Sequence, residues 1–591
     1  MSTIVGLSAF FHDSAACVMR DGRLCAAAQQ ERFSRSKHDA RLPVQAFRWC
    51  LDHCGVSIAD VEVVAYYESP EWKLDRQLAQ LWTSFPSQGG AASRRRCLQL
   101  WAGMRRPIDE IREVLGYDGE IAWANHHLAH AASAFYFSGF RDAAVLTVDA
   151  VGEWATTAYG HGSGQDLELF DEVRFPHSLG LLYSTITAYL GFGVNDGEYK
   201  VMGLAPYGQP TCVDRMRTLL EVLPEGQFRL AADYFDFTRD DCMYTEALPA
   251  LFGHPPRRKT DPLTQAHCDI ARSLQLVLEE TLLEKVRYLH ARVPVDDLCM
   301  AGGVALNCVA NGRIVRESPF RRLFVQPAAG DAGGALGAAA IAHARRHGAS
   351  VVQPMEHAYW GPGYKDAEIV ELLDGLGVRS LDYRHDEAAL IEAVGDDLIA
   401  GKVVGWFQGR MEFGPRALGA RSLLADPRDP DMRDRMNRIV KERESFRPFA
   451  PAALERAASQ HFSLDHPSPF MLETCTVVSP LPLPAITHAD GSARVQTVNA
   501  RSNPRFARLL EWFYARTGCP MLLNTSFNLN GEPIVNSPLD ALVTFARSHI
   551  DTLALGGLIV RHADLPPAFV STAITARTLP AATSDRVYTF W

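Results

Sequence analysis

Ala143-Ala144-Val145-Leu146-Thr147-Val148 runs into Asp149-Ala150-Val151-Gly152-Glu153, continues through residues 155–159, turns at His161-Gly162-Ser163-Gly164 and returns as Leu167-Glu168-Leu169-Phe170. Apolar runs divided by short polar, glycine-bearing turns read as three successive strands. The chain opens on the same plan, with Ile4-Val5-Gly6-Leu7, a turn at His12-Asp13-Ser14, a run over 15–19, Asp21-Gly22, and a run over 24–28. Asp-Gly between apolar runs marks a tight hairpin, because both central residues of that turn adopt positive φ. Two copies of one β-unit, each with an aspartate in its first turn, predict an internally duplicated α/β domain.

Outward from these units, residues 43–54 have helical character, and a strand over 298–301 ends in Gly302-Gly303-Val304-Ala305-Leu306-Asn307. A second glycine-rich stretch, Gly330-Asp331-Ala332-Gly333-Gly334, reads as a loop opening a small-residue helix over 335–344. Such loops suit phosphates, since free backbone N–H groups and the helix dipole face the anion. His347-Gly348-Ala349-Ser350 and Gly361-Pro362-Gly363 mark a linker, dividing the chain into domains 1–350 and 351–591. The second half shows strands over 403–407 and 521–523, so a second α/β domain of ordinary size is expected.

Composition bounds the function. The 591 residues carry a formal net charge of −10, with 47% hydrophobic and 22% charged residues. This excludes a disordered or collagen-like chain. It also argues against gripping nucleic acid, which calls for a basic face. The twelve cysteines are scattered without a CxxC pair, as expected of reduced cytosolic thiols, and Cys50, His53 and Cys54 read as core packing. The run over 4–11 lacks a basic flank, and no stretch of about 18 uncharged apolar residues occurs. A cytoplasmic protein without a membrane span is expected.

The sharpest local signal is Asn125-His126-His127-Leu128-Ala129-His130. On a helix His126 and His130 point the same way and can share one cation, while His127 faces elsewhere. Asp149 and Asp331 each follow an apolar run, where α/β domains place their sites. Two imidazoles and two carboxylates form a mixed N/O set suited to Fe(II), Mn(II) or Zn(II). In the second half, residues 410–447 hold ten basic against seven acidic residues. Much of that stretch reads as a solvent-facing helix, but Arg416 lies in a Gly-Pro loop and Arg447 precedes Pro448, which disfavours helix. With Asn524-Thr525-Ser526-Phe527-Asn528 on an expected turn, these arginines point to an oxyanion pocket. His12 in the first turn is a candidate general base, with Asp13 orienting it.

Taken together, these stretches, with Glu31-Arg32-Phe33-Ser34, Gly197-Glu198-Tyr199-Lys200-Val201-Met202-Gly203 and Phe446-Arg447-Pro448-Phe449, resemble the NodU/CmcH-type O-carbamoyltransferases. The matches run in order along nearly the whole chain. The resemblance implies a duplicated actin-like ATPase domain, of the ASKHA class and similar to the threonylcarbamoyl transferases, followed by a YrdC-like α/β domain. It implies an enzyme that forms carbamoyl-adenylate from carbamoyl phosphate and ATP with Mg(II), then carbamoylates a hydroxyl of an antibiotic sugar or polyketide. Carried over, His126, His130, Asp149 and Asp331 correspond to ligands of Fe(II) or another divalent metal. Arg416, Lys441, Arg447, Arg494 and Ser526 correspond to carbamoyl phosphate contacts. Lys200, Gly302, Gly303 and Asn307 correspond to adenylate contacts, and His12 with Asp13 to the acceptor-side base.

Two other readings share part of this pattern: a tRNA threonylcarbamoyl-type transferase, which the −10 charge disfavours, and a non-catalytic actin-like nucleotide-binding module. The expected partner is a small hydroxylated acceptor, with no nucleic acid and no membrane, and a homodimer is the default assembly. Residues 67–106 and 235–256 are the expected acceptor-lining segments, since acceptor pockets are built from variable loops.

Overall fold

A computed structural model describes residues 2–84, 90–237, 239, 241–348, 353–441, 444 and 446–575, without the side chains of 83, 84, 90–94 and 439–441. The described residues form two compact units, one drawn from 1–30 and 38–355 and the other from 31–37 and 356–575. The expected linker residues 349 and 350 lie outside the described residues.

In the first unit β1 (Thr3–Ser8), β2 (Ala15–Arg20) and β3 (Arg23–Gln29) form an antiparallel meander, and β4 (Val63–Tyr66) and β5 (Glu120–Trp123) add in parallel beside β1, giving the order β3-β2-β1-β4-β5. Asp21 and Gly22 turn the hairpin with φ of 47° and 75°. The second sheet repeats the plan. There β6 (Asp142–Val148), β7 (Ala155–Ser163) and β8 (Asp166–Arg174) form the meander, the short hairpin β9 (Leu220–Val222) and β10 (Phe228–Leu230) stands apart, and β11 (Asp297–Ala301) and β12 (Arg322–Val325) add in parallel. The order β12-β11-β6-β7-β8 is the first sheet over again, so the α/β duplication is a property of the fold. β7 runs on through His161 and Gly162, which moves the turn to its far end. Cys50 is buried and its Sγ donates to the Ala16 carbonyl at 3.5 Å, a packing role.

Gly330 ends the turn before the helix, but Gly333 and Gly334 do not lie in a loop. The helix begins at Asp331 and runs to His347, packed on the helix His126–Ser138. A Cβ on Gly334 would stand 2.7 Å from the Tyr67 ring, and one on Gly337 only 1.8 Å from the Ala129 carbonyl oxygen. Small residues here let two backbones touch. Gly337→Ala should therefore reverse the usual gain of about 1 kcal/mol for replacing a helical glycine, destabilising the unit by about 3 kcal/mol. A thermal melt of the variant checks this, and an unchanged Tm would contradict the close approach.

On the other side of the second sheet Lys285 is 1% exposed. Its Nζ donates to the Gly226 carbonyl (2.8 Å) and the Tyr159 hydroxyl (3.1 Å), and it lies 4.2 Å from the Phe228 ring centroid. Burial pulls its pKa from 10.5 down to about 7, against a weaker opposing pull from Asp171. Between those two values the unfolded chain binds a proton that the folded chain does not, so this group makes stability rise with pH from about 7 to 10.5. Lys285→Met should erase that rise. The wild type should gain on the order of 3 kcal/mol relative to the variant between pH 7 and 9.5, read from denaturant melts at the two pH values.

The second unit is built on one mixed sheet, ordered β13-β22-β21-β14-β15-β20-β16-β19. Its strands are β13 (Leu381–Asp382), β14 (Val404–Phe407), β15 (Arg421–Ala425), β16 (Ala450–Leu454), β19 (Gln496–Val498), β20 (Met521–Ser526), β21 (Thr552–Leu555) and β22 (Leu558–Val560), while β17 (Cys475–Thr476) and β18 (Ser492–Ala493) form a separate pair. Trp406, Leu423, Phe513, Phe527 and Phe545 are among its buried core. The solvent-facing helix expected over much of 410–447 is not what forms. Residues 421–425 are a buried strand, and among the described residues of this stretch only Met432–Arg435 and the turn Met436–Lys441 are helical. Arg421 is fully buried, donating to the carbonyls of Gln408 (2.9 Å), Gly409 (3.2 Å) and Pro362 (2.9 Å), with its guanidinium 3.6 Å from the Phe407 ring centroid. No helix among the described residues is long and apolar enough to cross a membrane.

Candidate active site

Four donors converge in the first unit. His126 and His130 stand on consecutive turns of the helix His126–Ser138, Asp149 follows β6, and Asp331 opens its own helix. The Nε2 atoms of His126 and His130 are 3.0 Å apart and lie 3.2 and 3.0 Å from Asp149 Oδ2. Asp331 Oδ1 is 3.8 and 3.6 Å from the same nitrogens. All four side chains are buried, and one ligand atom from each lies within 4.8 Å of the others. Donors each about 2.1 Å from a shared cation stand about 3.0–3.5 Å apart, so the set fits a divalent metal such as Fe(II), Mn(II) or Zn(II).

The charges agree with this. Burial alone would raise the Asp149 carboxyl, yet His126 and His130 hold it well below the usual carboxylate range. Burial alone would lower His130, yet Asp149 and Asp331 push it up to about 9. His127 turns away, with Nδ1 2.7 Å from Thr147 Oγ1, and burial drives it down to about 3. Asp149 Oδ1 accepts the N–H groups of Ala150 (2.8 Å) and Gly303 (3.2 Å), which leaves Oδ2 facing the imidazoles. The Gly302-Gly303 turn is thereby brought against a cluster ligand. Gly302 has φ of 95°, and a Cβ there would meet the Val148 carbonyl at 2.3 Å, so glycine is required.

A polar chain leads out from the cluster. His12 Nε2 is 4.0 Å from Asp331 Oδ2, its Nδ1 is 3.0 Å from Asp13 Oδ2, and Asp13 Oδ1 is 2.8 Å from His38 Nδ1. His38 Nε2 in turn lies 3.4 Å from Asp196. Burial would lower His12, but Asp331 and Asp13 outweigh it and raise it to about 9. Burial would raise Asp13, but His38 and His12 hold it well below its ordinary value. His38 escapes sequence reading, since a single histidine in the polar run Ser34-Arg35-Ser36-Lys37-His38-Asp39 carries no periodic or spacing signal. Tyr67, at the start of the expected acceptor-lining segment, places its hydroxyl 3.4 Å from Asp331 Oδ2. Asn307 caps the helix Cys308–Glu317, accepting the Ala310 N–H at 3.0 Å, and Lys200 stands on the helix Glu198–Leu204 with Nζ 6.0 Å from the Phe192 ring centroid.

In the second unit the strand register gathers the arginines. Arg416 precedes β15, Arg447 precedes β16, Arg494 precedes β19 and Ser526 ends β20. Ser422 pairs with Ser526, Asn524 with Ala450, and Ala452 with Gln496, so all four residues lie at one end of four neighbouring strands. Asn524 is already in β20 rather than on the turn expected there. Its amide reaches Gln496 Oε1 at 2.8 Å, and Gln496 donates to the Leu418 carbonyl at 2.8 Å, tying the Arg416 loop to β20 and β19. Glu412 Oε1 accepts the N–H groups of Leu418 (2.7 Å), Ala420 (2.8 Å) and Arg421 (3.2 Å), and Arg32 donates to the Gly414 carbonyl at 2.8 Å. Arg32 and Glu412 are clamps for this loop that spacing alone does not reveal. Ser526 Oγ donates to Asn528 Oδ1 at 2.6 Å. Arg494 stands beside His488, which burial and that cation push down to about 4. The side chain of Lys441 lies outside the described residues. Half-buried guanidiniums with a hydroxyl at one sheet end can recognise a phosphate or carboxylate.

Residues 3–340 match the family described as carbamoyltransferase N-terminus, and residues 395–562 match carbamoyltransferase C-terminus. An uncharacterized protein of Synechocystis sp. is 44% identical, with 96% of this chain and 98% of that one covered. The nodulation protein NolNO of Sinorhizobium fredii is 38% identical, covering 94% of this chain and 80% of its own. The 3'-hydroxymethylcephem-O-carbamoyltransferase of Amycolatopsis lactamdurans is 38% identical over 50% of this chain and 55% of its own.

Proposed function

The chain belongs to the carbamoyltransferase family, and from that premise we propose that it is an ATP-dependent O-carbamoyltransferase working in two steps. In the second unit, YrdC-like in this reading, water cleaves carbamoyl phosphate to carbamate and phosphate. A carbamate oxygen then attacks the α-phosphorus of ATP, which carries Mg(II), and pyrophosphate leaves carbamoyl-adenylate behind. In the first unit, actin-like in this reading, an alcohol oxygen attacks the carbamoyl carbon and AMP departs. The alcohol proton passes to the neutral form of His12, oriented by Asp13. With its pKa raised to about 9, that form grows as pH rises toward 9, and transfer should rise with it.

Arg416, Arg447, Arg494 and Lys441 supply fixed positive charge to carbamoyl phosphate, and Ser526 offers a hydroxyl. Lys200, Gly302, Gly303 and Asn307 face the adenylate. His126, His130, Asp149 and Asp331 would hold the metal, Fe(II) in this reading, and a bound divalent cation supplies Lewis acidity at a carbonyl or phosphate oxygen. Their carboxylates and imidazoles keep that point polar inside an otherwise buried site. The acceptor is a small hydroxylated natural product, a class that includes the cephem named for the Amycolatopsis relative.

Four buried donors converging on one point, in a chain of this family, support the reading above all. Purified protein with ATP, carbamoyl phosphate, Fe(II) and a panel of hydroxylated antibiotics tests it by mass spectrometry. Release of pyrophosphate with a gain of about 43 Da on a panel member is expected, the mass of H replaced by CONH₂. Neither pyrophosphate nor product would overturn it.

A further inference from the structure

Glu153 lies four residues after Asp149 in the turn between β6 and β7 and is 3% exposed. A carboxylate so buried is costly unless donors meet it. Backbone groups do so here: Oε1 accepts the N–H of Ser69 at 2.8 Å and of His126 at 2.9 Å, and Oε2 lies 3.1 Å from the same His126 nitrogen. His126 is the first residue of its helix, and the preceding Asn125 makes no side-chain capping bond among the described residues. The positive end of this helix is thus met by a carboxylate from a distant turn.

Three pieces of the cluster are joined by that one side chain. The turn holding it also holds Asp149, and the helix it caps carries His126 and His130. Ser69 follows two residues after Tyr67, whose hydroxyl reaches Asp331. The fit is close on the neighbouring residue too, since a Cβ on Gly152 would stand 2.9 Å from His126 Cβ. A shift of the turn would move Asp149 and the imidazoles relative to one another.

We infer that Glu153 is a positioning residue, setting the spacing of His126 and His130 from Asp149 and through it the affinity and geometry of the bound cation. The inference rests on the reading of these four residues as a metal site. It differs from a plain helix cap, which would affect stability alone.

The full-length protein, freed of metal and titrated with Co(II), tests it through the visible absorption of the ion and a competition Kd. Glu153→Gln keeps the shape, but its amide nitrogen faces the His126 N–H donor to donor. Co(II) affinity should fall about 10- to 100-fold with an altered absorption band, while the metal-free Tm drops by only a few degrees. Glu153→Asp keeps the charge but is one methylene short, so it should lie between Glu153→Gln and wild type, and it serves if Glu153→Gln does not fold. Wild-type affinity and spectrum in either folded variant, whatever its Tm, would overturn the positioning role. No Co(II) spectrum from the wild-type protein would overturn the metal reading itself, and the inference with it.

Discussion

His130→Ala is expected to abolish carbamoyl transfer, with a fall on the order of 10³-fold or more in kcat, and to lose its bound metal. His130 is fully buried, with Nε2 at 3.0 Å from Asp149 and 3.6 Å from Asp331. Alanine leaves two buried carboxylates facing one imidazole, so both a ligand and a balancing group are gone. Pyrophosphate release should persist, because the arginines assigned to the first step belong to the other unit. Metal content by elemental analysis, with pyrophosphate and product measured in one reaction, separates these effects. Full transfer by this variant would remove the metal assignment.

Arg416→Ala should show the opposite pattern. The KM for carbamoyl phosphate is expected to rise on the order of 100-fold, while transfer from supplied carbamoyl-adenylate stays near wild type. The loop around Arg416 is also held by Glu412, Gln496 and Arg32, so it should keep its course in the variant. Arg416→Lys retains the charge but not the planar fork, and should recover part of the affinity, leaving a deficit of about tenfold. An unchanged KM in both variants would place carbamoyl phosphate elsewhere.

Much of the first unit is legible in its sequence, because strand runs and the Asp21-Gly22 hairpin are local signals. The His126, His130 pair is legible for the same reason, as helix geometry alone sets i and i+4 side by side. Asp331 is harder. The glycines around it imitate a loop, and only the contact with Tyr67 and Ala129 shows that they are packing surfaces of a helix. In the second unit, charge density on 410–447 imitates a solvated helix. Arg421 shows why the pattern misleads: main-chain carbonyls and a phenyl ring, which leave no trace in residue spacing, take up its charge. His38 and Arg32 act through partners distant in sequence, and Glu412 through backbone N–H groups of its own loop, which no residue pattern marks.

The seven residues 31–37 belong to the second unit although the rest of it begins at 356. Arg32 binds Gly414, and Arg35 donates to the carbonyls of Pro533 and Ile534 at 2.8 and 2.6 Å, 498 and 499 residues further on. A ribosome delivers this strip 498 residues before Pro533, one of its partners. The nascent chain must therefore keep it available through the synthesis of everything between, and folding cannot proceed strictly from the N-terminus onward. A fragment starting at residue 356 would lack its clamps, and adding a peptide spanning 31–37 in trans should restore its stability.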